Sequence, residues 1–173
     1  MRVISGIYKG RNLKGFMIEG TRPTMSRVKE SVFAMLQNDL QNKKVLDLFA
    51  GSGALGVEAL SGGASSCVFV DKNQIACDTI KENTKGMQQV SIIKKDSLSY
   101  LKNTRETFDL IFLDPPYQEN LLAQAIEIIE SRNLLMKEGI LVCEYEKEAF
   151  ISTFSLWKDK KYGSTMIRIY KNN

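Results

Sequence analysis

The sequence predicts an α/β protein: a doubly wound, mostly parallel seven-stranded sheet with an N-terminal β-hairpin and helix extension. Three observations predict it. Strand-like segments alternate with helix-like ones after residue 42, five strands in all before a closing hairpin. The strand-like segments are nearly continuous apolar runs, as in a parallel sheet covered on both faces. A G-x-G-x-x-G pattern (Gly51, Gly53, Gly56) stands between the first of these strands and its helix.

Each element has its own signal. Residues 3–8 and 12–17 read as two short strands around Gly10-Arg11, hence a small hairpin. Gly20-Thr21-Arg22-Pro23 is a loop. From Thr24, Met25, Val28, Val32, Met35 and Leu36 recur at helical spacing, and Pro23 suits the entrance. Strands then fall at residues 44–49, 67–70, 90–93, 108–113 and 140–143. Helices fall at 54–60, 73–83, 97–102 and 120–132. Gly62-Gly63 ends the first of these, and Leu122, Ile126 and Ile129 give the last an apolar side. A short helix is expected at 147–151. Residues 153–157 and 165–170 form a final hairpin turning near Tyr162-Gly163. Residues 1–42 are thus an extension packed on a unit of residues 43–173, with no linker between independent domains.

Composition narrows the chemistry. A chain of 173 residues, 43% hydrophobic and 25% charged, is an ordinary single domain with a real core. No apolar run approaches the roughly 18 residues of a membrane span. The N-terminus MRVISGIYKGRNLKG lacks the apolar core of a signal peptide. A cytoplasmic protein without membrane attachment is expected. Cys67, Cys77 and Cys143 form no CxxC pair, so they read as structural and no metal site is expected. The absence of histidine excludes Ser-His-Asp, Cys-His and histidine-ligated metal chemistry. Residues 1–44 hold nine Lys or Arg against three acids, a local charge of +6, while the rest sums to −2. That asymmetry suits a polyanionic partner or simply a solvated surface.

In doubly wound sheets, ligands bind at the carboxyl ends of the strands, where strand order reverses. The first strand end carries Asp47, Ala50, Gly51, Ser52, Gly53 and Gly56. Glycine permits a tight turn with close backbone approach, and the helix start favours an anionic ligand group. The second end carries Asp71 and Lys72. Asp71 stands 20 residues after Gly51, a position that suits ribose hydroxyls, or it caps the next helix. The third end carries Asp96 and Ser97, where a carboxylate can accept from an adenine amine, cap the short helix, or both. The fourth end is Asp114-Pro115-Pro116-Tyr117. Two prolines stiffen the loop and leave their carbonyls as acceptors. Asp114 adds a carboxylate and Tyr117 a stacking face. Such an acceptor-lined slot fits the exocyclic amine of a base, whose lone pair must be oriented for attack.

The chain resembles the small bacterial methyltransferases that modify guanine N2 in 16S ribosomal RNA. The likeness runs almost end to end. It rests on Arg2 to Gly6, Tyr8 to Arg11, Leu13, Gly20 to Thr24, Arg27 to Phe33, Asp47 to Gly56 and Asp114 to Tyr117. It implies the class I methyltransferase fold and S-adenosylmethionine as donor, with guanine 966 as the position modified. It implies cofactor contacts at the glycine loop, Asp71 and Asp96, and base contacts at Asp114–Tyr117. It implies a substrate of 16S rRNA within an assembled or assembling 30S particle, and a protein acting as a monomer. Arg2, Lys9, Arg11, Lys14, Arg22 and Arg27 would then contact RNA phosphates, although Arg22 and Arg27 fit equally a role in ordering the active-site loop. Three other readings stay open: an NAD-dependent oxidoreductase, a DNA N6-adenine methyltransferase, and a non-catalytic RNA-binding module.

Overall fold

The structure, a computed structural model, describes residues 1–15, 23–116, 120–147 and 149–173, the side chains of residues 23–25 aside. Helix α1 is Pro23–Leu36. Strand and helix then alternate: β1 Lys44–Leu48, α2 Ala54–Ser61, β2 Ser66–Asp71, α3 Gln74–Asn83, β3 Val90–Lys94, α4 Ser97–Asn103 and β4 Phe108–Leu113. Next come α5 Leu121–Ser131, β5 Leu135–Tyr145, β6 Ser155–Tyr162 and β7 Thr165–Lys171. The strands form one seven-stranded sheet in the order β3-β2-β1-β4-β5-β7-β6. The first five run parallel, β7 is antiparallel to β5, and β6 is antiparallel to β7. Strand order reverses between β1 and β4.

The sheet is covered on both faces, which is why its central strands are largely apolar. Val45, Phe69, Leu110, Phe112, Val142, Ile167 and Ile169 face a core shared with α1, α2 and α3. Leu46, Leu48, Val68, Val70, Ile111, Leu113 and Leu141 face a second core filled by α4 and α5. In α1, the expected Val28, Val32 and Leu36 are buried, and Phe33 joins them against the ring of Phe112, centroids 5.7 Å apart. In α5, Leu122, Ile126 and Ile129 are buried as the periodicity requires.

Three expectations are revised. The N-terminal segments pair antiparallel, but among the described residues regular strand shrinks to a single bridge, Arg2 with Asn12. The chain spends residues 5–10 in bends and turns, closed by Gly10 N donating to Val3 O and Val3 N to Arg11 O. β5 starts five residues earlier than its apolar run, because residues 136–138 are exposed. No helix forms among the described residues of 147–151. Phe150 instead anchors that loop, its ring 4.8 Å from Tyr145 and 6.4 Å from Tyr170.

Candidate active site

Parallel pairing of β1 with β4 places Leu48 opposite Leu113, so the glycine turn and Asp114 leave the sheet side by side. Side chains alternate between sheet faces along a strand. Asp47 shares the parity of Val45, Asp71 that of Phe69, Asp114 that of Phe112, and Glu144 that of Val142. All four carboxylates therefore stand at the strands' carboxyl ends on the face covered by α1, α2 and α3.

The turn after β1 has an unusual backbone. Phe49, Gly51 and Gly53 all have positive φ, at 64°, 55° and 76°. For a bulky Phe such a conformation is strained and persists only where the surroundings impose it. Two carboxylates do so. Asp47 Oδ2 accepts from Gly56 N at 2.9 Å, and Asp71 Oδ2 accepts from Gly51 N at 2.9 Å. Asp71 Oδ1 also accepts from Asn73 N. Asn83, at the end of α3, adds a third tie by donating to Ser52 O at 2.9 Å. The same side chain accepts from Lys14 N and donates to Lys14 O, so it joins the N-terminal segment to the turn. Helix α2 opens at Gly53 with no side-chain cap.

The third glycine acts differently from the first two. A Cβ on Gly56 would lie 2.3 Å from the Phe69 ring, so this position lets α2 close onto β2. Its amide is already held by Asp47. Asp96 caps α4, its Oδ1 accepting from Ser99 N at 2.9 Å, with Ser97 buried behind it. Lys72 is exposed beside Asp71, and Ala50 is buried in the turn.

Burial shapes the carboxylates. Asp47 is pushed up to about 8, mainly by desolvation, opposed by its Gly56 hydrogen bond and reinforced by the charges of Asp114 and Asp71. Desolvation raises Asp114 to about 6. Glu144, on the neighbouring strand, is raised to about 8 by desolvation and then by Asp114 and Glu146. Asp47 and Glu144 therefore keep their protons near neutral pH, whereas Asp114 is mostly ionised there. Pro115 is buried and Pro116 exposed. Tyr117 lies outside the described residues.

The basic segment is less free than its composition suggests. Lys29 is buried on Glu58, Nζ to Oε1 at 2.8 Å, and also donates to Arg2 O. Lys14 pairs with Glu82 and Lys44 with Glu106. Arg2 donates to Asn12, and Arg11 donates to Lys85 O beneath the Tyr8 ring. Lys9 and Arg27 are exposed. Arg22 lies outside the described residues. Among the described residues, no group of three or more Asp, Glu or Cys is arranged to hold a metal.

Sequence reasoning located the turn, Asp47, Asp71 and Asp114, because each ends a clear apolar strand. It missed Glu144, which the same rule would have found had β5 been followed one residue past Cys143. It also missed Asn83, for which a helix end gives no signal.

The strand order, with an antiparallel β7 beside β5 and a glycine turn at the switch point, is that of the class I S-adenosylmethionine-dependent methyltransferases. Within that class the chain belongs to the family described as Conserved hypothetical protein 95, whose model matches residues 1–171. It is 40% identical to the Putative rRNA methyltransferase YlbH of Bacillus subtilis, over 99% of this chain and 98% of that one. It is 36% identical to the Ribosomal RNA small subunit methyltransferase D of Haemophilus influenzae, over 99% and 94% respectively. The solved structure of the Putative methyltransferase yhhF from Escherichia coli superposes with a TM-score of 0.91 at 29% identity, covering 100% of this chain and 98% of that one.

Proposed function

We propose that this protein transfers a methyl group from S-adenosylmethionine to the exocyclic N2 amine of a guanine in 16S ribosomal RNA, at position 966. One observation carries the reading: the glycine turn and Asp114 leave adjacent parallel strands side by side at the same end of the sheet. The full-length relatives named as ribosomal RNA methyltransferases support an RNA substrate.

The residues present fit the donor. When bound, S-adenosylmethionine supplies an electrophilic methyl on a sulfonium. The uncapped start of α2 and Ser52, on a turn shaped by Ala50, Gly51 and Gly53, suit the carboxylate of its methionine part. The remaining lone pairs of Asp71 suit ribose hydroxyls, with Lys72 beside them, and the second oxygen of Asp96 suits the adenine amine next to Ser97. Asp47 supports the turn from below, and Gly56 lets α2 approach. Asp114, raised least of the three, is the carboxylate that offers negative charge to a cationic donor near neutral pH, while Asp47 and Glu144 hold their protons there.

The acceptor side follows from Asp114. Its carboxylate and the carbonyls of Pro115 and Pro116 accept the amine N–H bonds, which orients the nitrogen lone pair along the line of attack. Acceptors placed where positive charge grows on nitrogen lower the barrier. The amine proton then leaves through Asp114 or to water. Tyr117 stacks on the base, worth roughly 1–3 kcal/mol. Arg2, Lys9, Arg11, Lys14, Arg22 and Arg27 are assigned to RNA phosphates. An assembled or assembling 30S particle as substrate, a monomeric enzyme and action in the cytoplasm belong to the same proposal.

Mass spectrometry of rRNA nucleosides from a deletion strain, with and without complementation, tests the product. The N2-methylguanine signal at the target site should vanish and return. In the purified protein, Asp114→Ala should reduce methyl transfer by at least about a hundredfold, the scale of one transition-state acceptor. Calorimetric binding of S-adenosylhomocysteine should stay near wild type. Surviving activity would remove Asp114 from the acceptor role.

A further inference from the structure

The C-terminal hairpin carries an excess of basic residues, on both of its faces, that the N-terminal segment does not explain. Strands β6 and β7 hold Lys158, Lys160, Lys161, Arg168 and Lys171 against one acid, Asp159. Arg168 already holds Asp159, Nε to Oδ2 at 3.1 Å. Lys160 and Lys161 are both exposed.

Register fixes where these cations stand. Tyr145, at the carboxyl end of β5, pairs with Met166, and Met166 pairs with Lys161. The tip of the hairpin therefore lies at the same end of the sheet as Asp114 and the glycine turn. The tip is also fastened, because Tyr162 hydroxyl hydrogen-bonds to Ser31 of α1. Arg27, exposed, precedes Ser31 by one helical turn and so lies on the same side of α1. Lys160 shares the sheet face of Ile167, the face that α1 covers. Arg27 and Lys160 thus flank the Ser31–Tyr162 contact. Among the described residues the acids nearby are Glu30 on α1, which is exposed, Glu146, which accepts from Ser164 hydroxyl, and Glu144, which the register places in line with Lys160 through Ile167.

We propose that the β6–β7 tip, through Lys160 and Lys161, is a second phosphate-contacting element, so that RNA is held on both sides of the crevice. The order of the sheet supports this geometry. The N-terminal segment docks on α2 and α3, through Ser61 and Asn83, on the β1 side of the switch point. The hairpin ends the sheet on the β4 side. A base delivered to Asp114 from a strand bound on one side only would be free to pivot, and a second anchor removes that freedom. Lysines on an edge strand also discourage strand-to-strand association. That role asks for charge anywhere along the edge, whereas here two exposed lysines stand at the catalytic end.

The inference rests on the RNA reading above, and its test separates the two. Binding of 16S rRNA is measured for the wild type and for Lys160→Gln/Lys161→Gln at about 50 and 200 mM salt. Each phosphate contact to a single strand contributes about 0.7 to the log–log salt slope. Wild-type affinity should therefore fall roughly sevenfold more than that of the variant across this range. Lys160→Glu/Lys161→Glu should weaken binding further, with S-adenosylhomocysteine affinity and melting temperature unchanged. Equal salt slopes in wild type and variant, with methyl transfer intact in both, would overturn the inference alone. A wild-type protein that neither binds nor methylates the RNA would overturn the functional reading, and the inference with it.

Discussion

Four carboxylates at one sheet edge would be unstable neighbours if all were charged, and the protein resolves this by keeping some protonated. Asp114 and Glu144 follow one another across adjacent strands and titrate as a pair, near 6 and near 8. Glu144→Gln should leave a single step near 6 in the pH profile of kcat/KM, and the step near 8 should disappear. Two steps persisting in the variant would assign the upper one elsewhere, to Asp47. Asp114 was legible because Pro115-Pro116 announces the end of an apolar strand. Glu144 was not, since Glu144-Tyr145-Glu146-Lys147 reads as the start of a charged loop. Only the sheet register shows that it faces the site. Gly56 gives the opposite lesson: its place in the fingerprint suggests a ligand contact, yet the Phe69 ring beneath it explains the missing side chain.

At the scale of elements, the N-terminal segment, α1 and α2 are tied at one buried point. Glu58 of α2 accepts from Ile4 N at 2.8 Å and from Lys29 of α1, and Lys29 donates in turn to Arg2 O. Breaking such a pair leaves a charge without its counter-ion. Lys29→Met should cost about 3–5 kcal/mol in denaturant unfolding. Lys29→Met/Glu58→Gln should recover much of it, which a loss of packing alone would not allow. In the sequence Lys29 only added to the charge of residues 1–44, because its partner is 29 residues away on another helix. Helix periodicity and apolar strand runs were read well, since both are local. The start of β5, the collapse of the hairpin to one bridge and the loop around Phe150 depend on contacts made across the fold.

For the molecule as a whole, the raised carboxylates have a thermodynamic consequence. Ordinary values are 3.8 for Asp and 4.5 for Glu, against about 8 for Asp47 and Glu144 and about 6 for Asp114 in the folded chain. Between these limits the folded state binds more protons than the unfolded one, so this contribution to stability is full below about pH 4 and lost by about pH 8. Asp47→Asn should flatten the fall in melting temperature of the ligand-free protein across that range. An unchanged slope would mean that Asp47 is ionised throughout.

The hydrogen bond between Ser31 and Tyr162 spans 131 positions of the chain. Val28, Val32 and Leu36 of α1 share a core with Ile167 and Ile169 of β7. During synthesis, then, the first helix emerges long before the strands that shelter it. A nascent chain arrested before β7 would have α1 packed on α2 and Phe112 but would leave the side it turns to β7 open to solvent, a target for chaperone capture.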